Sequence, residues 1–212
     1  MSVLMKGADV ANAMKEDLIN RVECLKEKGV APCLTIIRVG SRPDDVSYER
    51  GAKKRMEMIG IECRIVELPE DIAQDSFEEE VRRVNADPSV HGILLFRPLP
   101  NQLNEEPVKA IIDPEKDMDC MSPMNIAKIF AGDETGYAPC TAEAVMEMLE
   151  FYGIDPKGKN VTVVGRSMVV GKPLSMMLLK KHATITVCHT RTADLSAVCR
   201  KAEILVAAAG KA

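Results

Sequence analysis

"NVTVVGRSMVVGKPLSMMLL" (residues 160–179) passes from an apolar strand pattern through a glycine loop into an apolar helix pattern, and its reading decides the fold. Val161 to Val164 form a short, β-branched run with the character of a buried strand. Gly165 closes that strand and Gly171 opens the helix. Backbone that approaches a phosphate closely needs glycine, and a helix N-terminus supplies free N–H groups and the positive end of a dipole. The spacing is G-x5-G rather than G-x-G-x-x-G, so the residues alone also fit an ordinary strand-to-helix turn. Arg166 sets a cation inside the loop.

The next strand, "TITVC" (184–188), is followed by His189, Thr190, Arg191 and Thr192, with no carboxylate before Asp194. Dinucleotide folds that hold a ribose diol place an acid there. A cation and hydroxyls suit a 2′-phosphate instead, so NADP is favoured over NAD. Arg191 also reads as a solvated surface arginine, and both readings stay open. "EILVAAAG" (203–210) gives a third strand after a helix at 193–202.

A similar alternation precedes this region. Val10, Met14, Leu18, Val22 and Leu25 recur at helical spacing before Gly29. "CLTIIRV" (33–39), "CRIVEL" (63–68) and "HGILLF" (91–96) read as strands. Between them lie a helix at 45–59, stopped by Gly60, and one opened by a Ser76/Glu79 capping box ahead of Phe77, Val81 and Val84. Residues 101–125 are rich in turn formers, and Thr141 caps a further helix stopped by Gly153. The expectation is an α/β protein with an N-terminal three-layer α/β domain (1–139) and a Rossmann-type domain (140–212).

Composition narrows the classes of function. A net charge of −4 argues against nucleic acid as the main partner. No apolar run approaches the roughly 20 residues that span a bilayer, and the first residues lack a secretory core. Seven cysteines, scattered and without metal-ligand spacing, point to reduced thiols in the cytoplasm and to no metal. His91 reads as a strand-start residue. Cys188 and His189, adjacent on a strand, point to opposite faces and make no nucleophile–base pair.

"VHGILLFRPLP" (90–100), "DPEKDMDC" (113–120), "GYAPCTAEAVMEMLEFYGID" (136–155), "GKNVTVVGRSMVVGKPLSMMLL" (158–179) and "ATITVCHTRT" (183–192) occur in one order across the chain. In order and spacing they resemble the methylenetetrahydrofolate dehydrogenase/cyclohydrolase family. The resemblance implies a folate-binding domain, an NADP-binding Rossmann domain and a substrate cleft between them. It implies oxidation of 5,10-methylenetetrahydrofolate to the methenyl compound, followed by hydrolysis to 10-formyltetrahydrofolate, and a homodimer through the Rossmann domains. Gly165, Arg166, Ser167 and Gly171 would bind the dinucleotide, with Thr190 and Arg191 near the 2′-phosphate. Asp119 matches the acid that accepts hydrogen bonds from the pterin's amino-pyrimidine edge, where a carboxylate faces two adjacent N–H groups. Tyr48 matches the active-site tyrosine that stacks on the folate.

Three departures qualify the resemblance. The family's lysine, four residues after its tyrosine, is Ala52 here. Lys53 and Lys54 lie about 140° and 120° around the helix from Tyr48, so they read as a solvated face with Arg55. The glutamine that pairs with that lysine is Phe96, followed by Arg97, whose high pKa makes it a poor proton shuttle. Hydride transfer needs stacking and orientation, whereas hydrolysis needs activated water and proton transfers. The expectation is a dehydrogenase whose cyclohydrolase step is weak or absent, with Phe96 lining the substrate position. Last, the sequence ends at "EILVAAAGKA", where the family continues, which reads as a shortened form. A bifunctional enzyme, a non-catalytic NADP- and folate-binding fragment, and a two-domain dehydrogenase of hydroxy or amino acids stand as alternatives.

Overall fold

The computed structural model describes residues 3–210. The elements follow the chain as α1 (Gly7–Glu27), β1 (Cys33–Val39), α2 (Pro43–Ile59), β2 (Glu62–Leu68), α3 (Gln74–Ala86), β3 (Gly92–Leu95) and α4 (Glu106–Ile111). There follow α5 (Pro123–Ala131), α6 (Cys140–Phe151), β4 (Asn160–Val164), α7 (Gly171–Lys180), β5 (Thr184–Cys188), α8 (Leu195–Arg200) and β6 (Ile204–Ala207). The chain divides into two compact units, one of Ala11–Pro123 and one of the residues up to Val10 with those from Met124 onward.

In the Ala11–Pro123 unit a parallel sheet runs in the order β2-β1-β3. Central β1 is buried along nearly its whole length, which is why "CLTIIRV" reads as a continuous apolar run rather than an alternating one. Ile37 and Ile93 meet Phe77 and Val81 of α3, all buried, and Val84 extends the same helix stripe. Burying Phe77 alone contributes about 1.5–3 kcal/mol.

Helix α2 has no fully buried side chain. A polar anchor ties it to the sheet instead. Arg38 of β1 is only 4% exposed and donates from Nε to Glu49 Oε2 of α2 at 2.7 Å. Its Nη2 lies 3.1 Å from Glu67 Oε2 on β2, and Nη1 donates to the Gly40 carbonyl. The Glu49 hydrogen bond is the main cause holding the guanidinium pKa above its ordinary value. Gly60 ends α2 in the left-handed conformation, with φ 84°.

The second unit repeats the plan, with parallel strands in the order β5-β4-β6. Its core joins Val161 and Val163 of β4 to Leu174 and Leu178 of α7 and to Ala142 and Leu149 of α6.

Some local expectations need correction. Helix α3 starts at Gln74, so Ser76 lies inside it, and its N-cap Ala73 has no side-chain hydrogen bond. Gln74 is held by tertiary bonds, its Nε2 donating to the Asn104 carbonyl and its Oε1 accepting from Asn104 N. Helix α6 likewise begins before Thr141, behind Pro139. Residues 101–125 contain the short helix α4 and the start of α5. The helix expected over 193–202 is regular only over Leu195–Arg200.

Candidate functional site

In each sheet the first strand is central, with the second on one side and the third on the other. The winding direction therefore reverses at the central strand, and the crevice outside the strands' carboxyl ends is where α/β folds bind ligands. In the first sheet those ends are Gly40 after β1 and Phe96–Arg97 after β3. In the second they are Gly165 after β4 and Ala208 after β6.

At the first of these ends, Phe96 is 7% exposed, and its backbone N donates to the Ile37 carbonyl at 3.0 Å. Its ring meets Tyr48 of α2 edge-on, with centroids 5.4 Å apart and planes at 61°. Such a pair adds about 0.5–1.5 kcal/mol beyond its area. Tyr48 remains 61% exposed, so the ring is presented rather than buried. Ala52, one turn on, is half-buried, while Lys53, Lys54 and Arg55 face solvent.

Arg97 continues the segment, and its Nη2 donates to Asp119 Oδ2 at 2.6 Å, both side chains about one-fifth exposed. The loop bearing Asp119 is organised by Asp117, which is 1% exposed. Asp117 Oδ1 accepts from Met121 N at 2.9 Å and Oδ2 from Ser122 N at 2.8 Å. Between them Cys120 takes a left-handed φ of 55°. Burial chiefly, with Asp117 and Asp119 nearby, pushes its thiol up to about 12. Asp117 was missed from sequence reasoning, and its only signal is the repeated acid of "DMDC".

At the second end, Gly165 has φ 133°, a conformation L side chains rarely adopt, and a Cβ there would sit 2.6 Å from the Ala208 carbonyl. Gly171 is needed for a different reason: any Cβ on it would overlap the Gly165 carbonyl. The two glycines thus seat the start of α7 against the loop. Ser167 turns that loop, its Oγ accepting from Val170 N at 3.1 Å and its carbonyl from Lys172 N at 3.0 Å. Arg166 is exposed beside it. After β5, His189 Nδ1 accepts from Arg191 N and Thr192 Oγ1 accepts from His189 N. This fold of the chain leaves Thr190 and Arg191 exposed. Asp194, the first acid after the strand, accepts from Ala197 N at 2.8 Å and caps α8. It is spent on the helix, so the residues present fit a 2′-phosphate better than a bare diol.

Among the described residues, no group of three or more His, Cys, Asp or Glu side chains could hold a metal, and no helix is long and apolar enough to cross a membrane.

Residues 5–119 match the family model described as the tetrahydrofolate dehydrogenase/cyclohydrolase catalytic domain, and residues 139–212 match its NAD(P)-binding domain. The chain belongs to this family. A bifunctional protein FolD from Alkaliphilus oremlandii is 54% identical over 211 residues, covering 100% of this chain and 74% of the relative. The crystal structure of the bifunctional FolD enzyme of Campylobacter jejuni is similar, with a TM-score of 0.95 and 37% identity over 98% of this chain and 74% of that one. The Trypanosoma brucei FolD enzyme, solved with NADP cofactor and an inhibitor, gives a TM-score of 0.94 and 35% identity over 99% of this chain and 72% of that one. The first matched range contains the sheet β2-β1-β3 and the second the sheet β5-β4-β6.

Proposed function

We propose that this protein oxidises 5,10-methylenetetrahydrofolate to 5,10-methenyltetrahydrofolate with NADP, and that its hydrolysis of the methenyl product is weak or absent. Residues 1–139 form the folate domain and 140–212 the NADP domain of a cytoplasmic homodimer. The observation that carries the reading is the packing around Tyr48: a phenyl ring at 5.4 Å and the methyl of Ala52 one turn away, where the family places a glutamine and a lysine.

NADP, when bound, supplies the hydride acceptor. Gly165, Arg166, Ser167 and Gly171 hold its phosphates at the head of α7, and Thr190 and Arg191 take the 2′-phosphate. Tyr48 stacks on the pterin against the wall that Phe96 makes, and Asp119 accepts from its amino-pyrimidine edge. Expulsion of hydride is driven by the lone pair of the neighbouring folate nitrogen, so these residues contribute orientation and water exclusion rather than proton transfer. Hydrolysis of the methenyl cation needs a group that gives and takes a proton near neutral pH. Neither a phenyl ring nor a methyl does this, and Arg97 is bound to Asp119, a guanidinium being a poor proton shuttle.

The test uses the purified chain with each substrate. NADPH should form on adding methylenetetrahydrofolate and NADP, while the near-ultraviolet absorbance of methenyltetrahydrofolate should decay no faster than in buffer. Enzyme-dependent loss of that absorbance would restore the bifunctional assignment, and absence of NADPH formation would remove the dehydrogenase.

A further inference from the structure

We propose that Arg97 is a positioning residue for the folate: it fixes the plane and direction of the Asp119 carboxylate so that the acid meets the amino-pyrimidine edge in register. The inference rests on the assignment of Asp119 to that edge.

The backbone that carries Asp119 is held from two directions. Ile93 N of β3 donates to the Lys116 carbonyl at 2.6 Å, and Met118 N donates to the Ile93 carbonyl at 3.2 Å. Asp117 then gathers the N–H groups of Met121 and Ser122. These bonds place the Cα of residue 119 without setting the two side-chain torsions of an aspartate. Arg97 acts on those torsions. Its Nη2 meets Oδ2 at 2.6 Å, at the short end of charge-assisted hydrogen bonds. With both side chains largely covered, the pair is screened less than one on an open surface.

The backbone on the donor's side is flanked by residues of restricted freedom. Arg97 lies between Phe96, whose ring is buried against Tyr48, and the Pro98-Leu99-Pro100 segment. A guanidinium is planar and directional, so it constrains an acceptor's orientation more tightly than an ammonium does. Recognition of two coplanar N–H groups depends on that orientation, because a carboxylate turned out of plane keeps its charge and loses one of two bonds.

Kinetics and binding on Arg97→Ala, Arg97→Lys, Asp119→Asn and the Arg97→Ala/Asp119→Asn double variant test this. Arg97→Ala should raise KM for methylenetetrahydrofolate and Kd for tetrahydrofolate about ten- to hundredfold, the loss expected for one charge-assisted contact. KM for NADP should stay within about twofold, and Arg97→Lys should recover part of the folate affinity. In the Asp119→Asn background, removing Arg97 should add less than about threefold, because the arginine acts through the acid. An unchanged or improved folate affinity in Arg97→Ala, or losses that multiply independently in the double variant, would overturn the proposal. Should Arg97→Ala fail to fold, Arg97→Gln carries the same comparison. A parent protein that neither binds tetrahydrofolate nor forms NADPH defeats the functional assignment, and this inference with it. A fully active parent with an indifferent Arg97 defeats this inference alone.

Discussion

Cys120 holds a left-handed backbone at φ 55° and a thiol whose pKa is pushed up to about 12, and both follow from its place between Asp117 and the buried turn. A non-glycine residue in that conformation costs about 1–3 kcal/mol. Cys120→Gly relieves that backbone but loosens the unfolded chain and empties the buried thiol's place, so the unfolding free energy should change by less than about 1 kcal/mol in urea titration. The thiol also makes stability depend on pH. Folded Cys120 stays protonated while the unfolded thiol ionises near its ordinary value of 9.0, so unfolding releases a proton between pH 9 and about 12. Stability falls as pH rises through that window, and the fall should be shallower in Cys120→Ala than in the parent. Ala52 and Phe96 carry the other residue-scale prediction. Ala52→Lys alone should leave cyclohydrolase activity near background, because the aromatic wall gives an amine no partner. Ala52→Lys with Phe96→Gln should raise it measurably in the methenyl decay assay. Ala52 and Phe96 were legible in the sequence because a resemblance supplied what ought to stand there. The bond from Arg97 to Asp119 was not, since 22 positions of chain separate them and only the fold closes that distance.

Helix α2 shows how an element can be read correctly for incomplete reasons. Its length and its stop at Gly60 follow from local signals, yet it buries no side chain fully and is moored by the Arg38–Glu49 pair. Charged partners from two elements carry no periodicity, so nothing in either segment announces the bond. Arg38→Met should destabilise the fold by about 3 kcal/mol in urea titration, since it strands Glu49 at 16% exposure. Arg38→Met with Glu49→Leu should recover much of that loss. Helix α7 is the opposite case, where glycine spacing announced the element. The reason for Gly171 emerged only with the Gly165 carbonyl against it, so Gly171→Ala should weaken NADP binding more than tenfold by forcing the helix start away from the loop. The short helices α4 and α5 were hidden because they lie among prolines, asparagines and aspartates. Segments of 6 and 9 residues are below the length at which helices persist alone, so packing rather than propensity maintains them.

At the scale of the molecule, two sheets with the same order of strands each keep a separate core, one around Ile37 and Phe77 and one around Val163 and Leu174. A ligand that binds only the folded form stabilises it by about 2.7 kcal/mol at a hundred times its Kd. With NADP that protection should concentrate in Asn160–Cys188, and with tetrahydrofolate in Cys33–Leu68 and residues 92–120, as hydrogen exchange would resolve. The duplicated order made the architecture legible early, because strand–helix alternation admits few parallel arrangements. The exposure of Tyr48 has one more consequence, and it is optical. The chain contains no tryptophan and three tyrosines, so its ultraviolet emission is tyrosine emission, and one of its three emitters stands open beside Phe96. A reduced folate stacked on that ring would dim the protein's own light, and Tyr48→Phe would remove the signal along with the emitter.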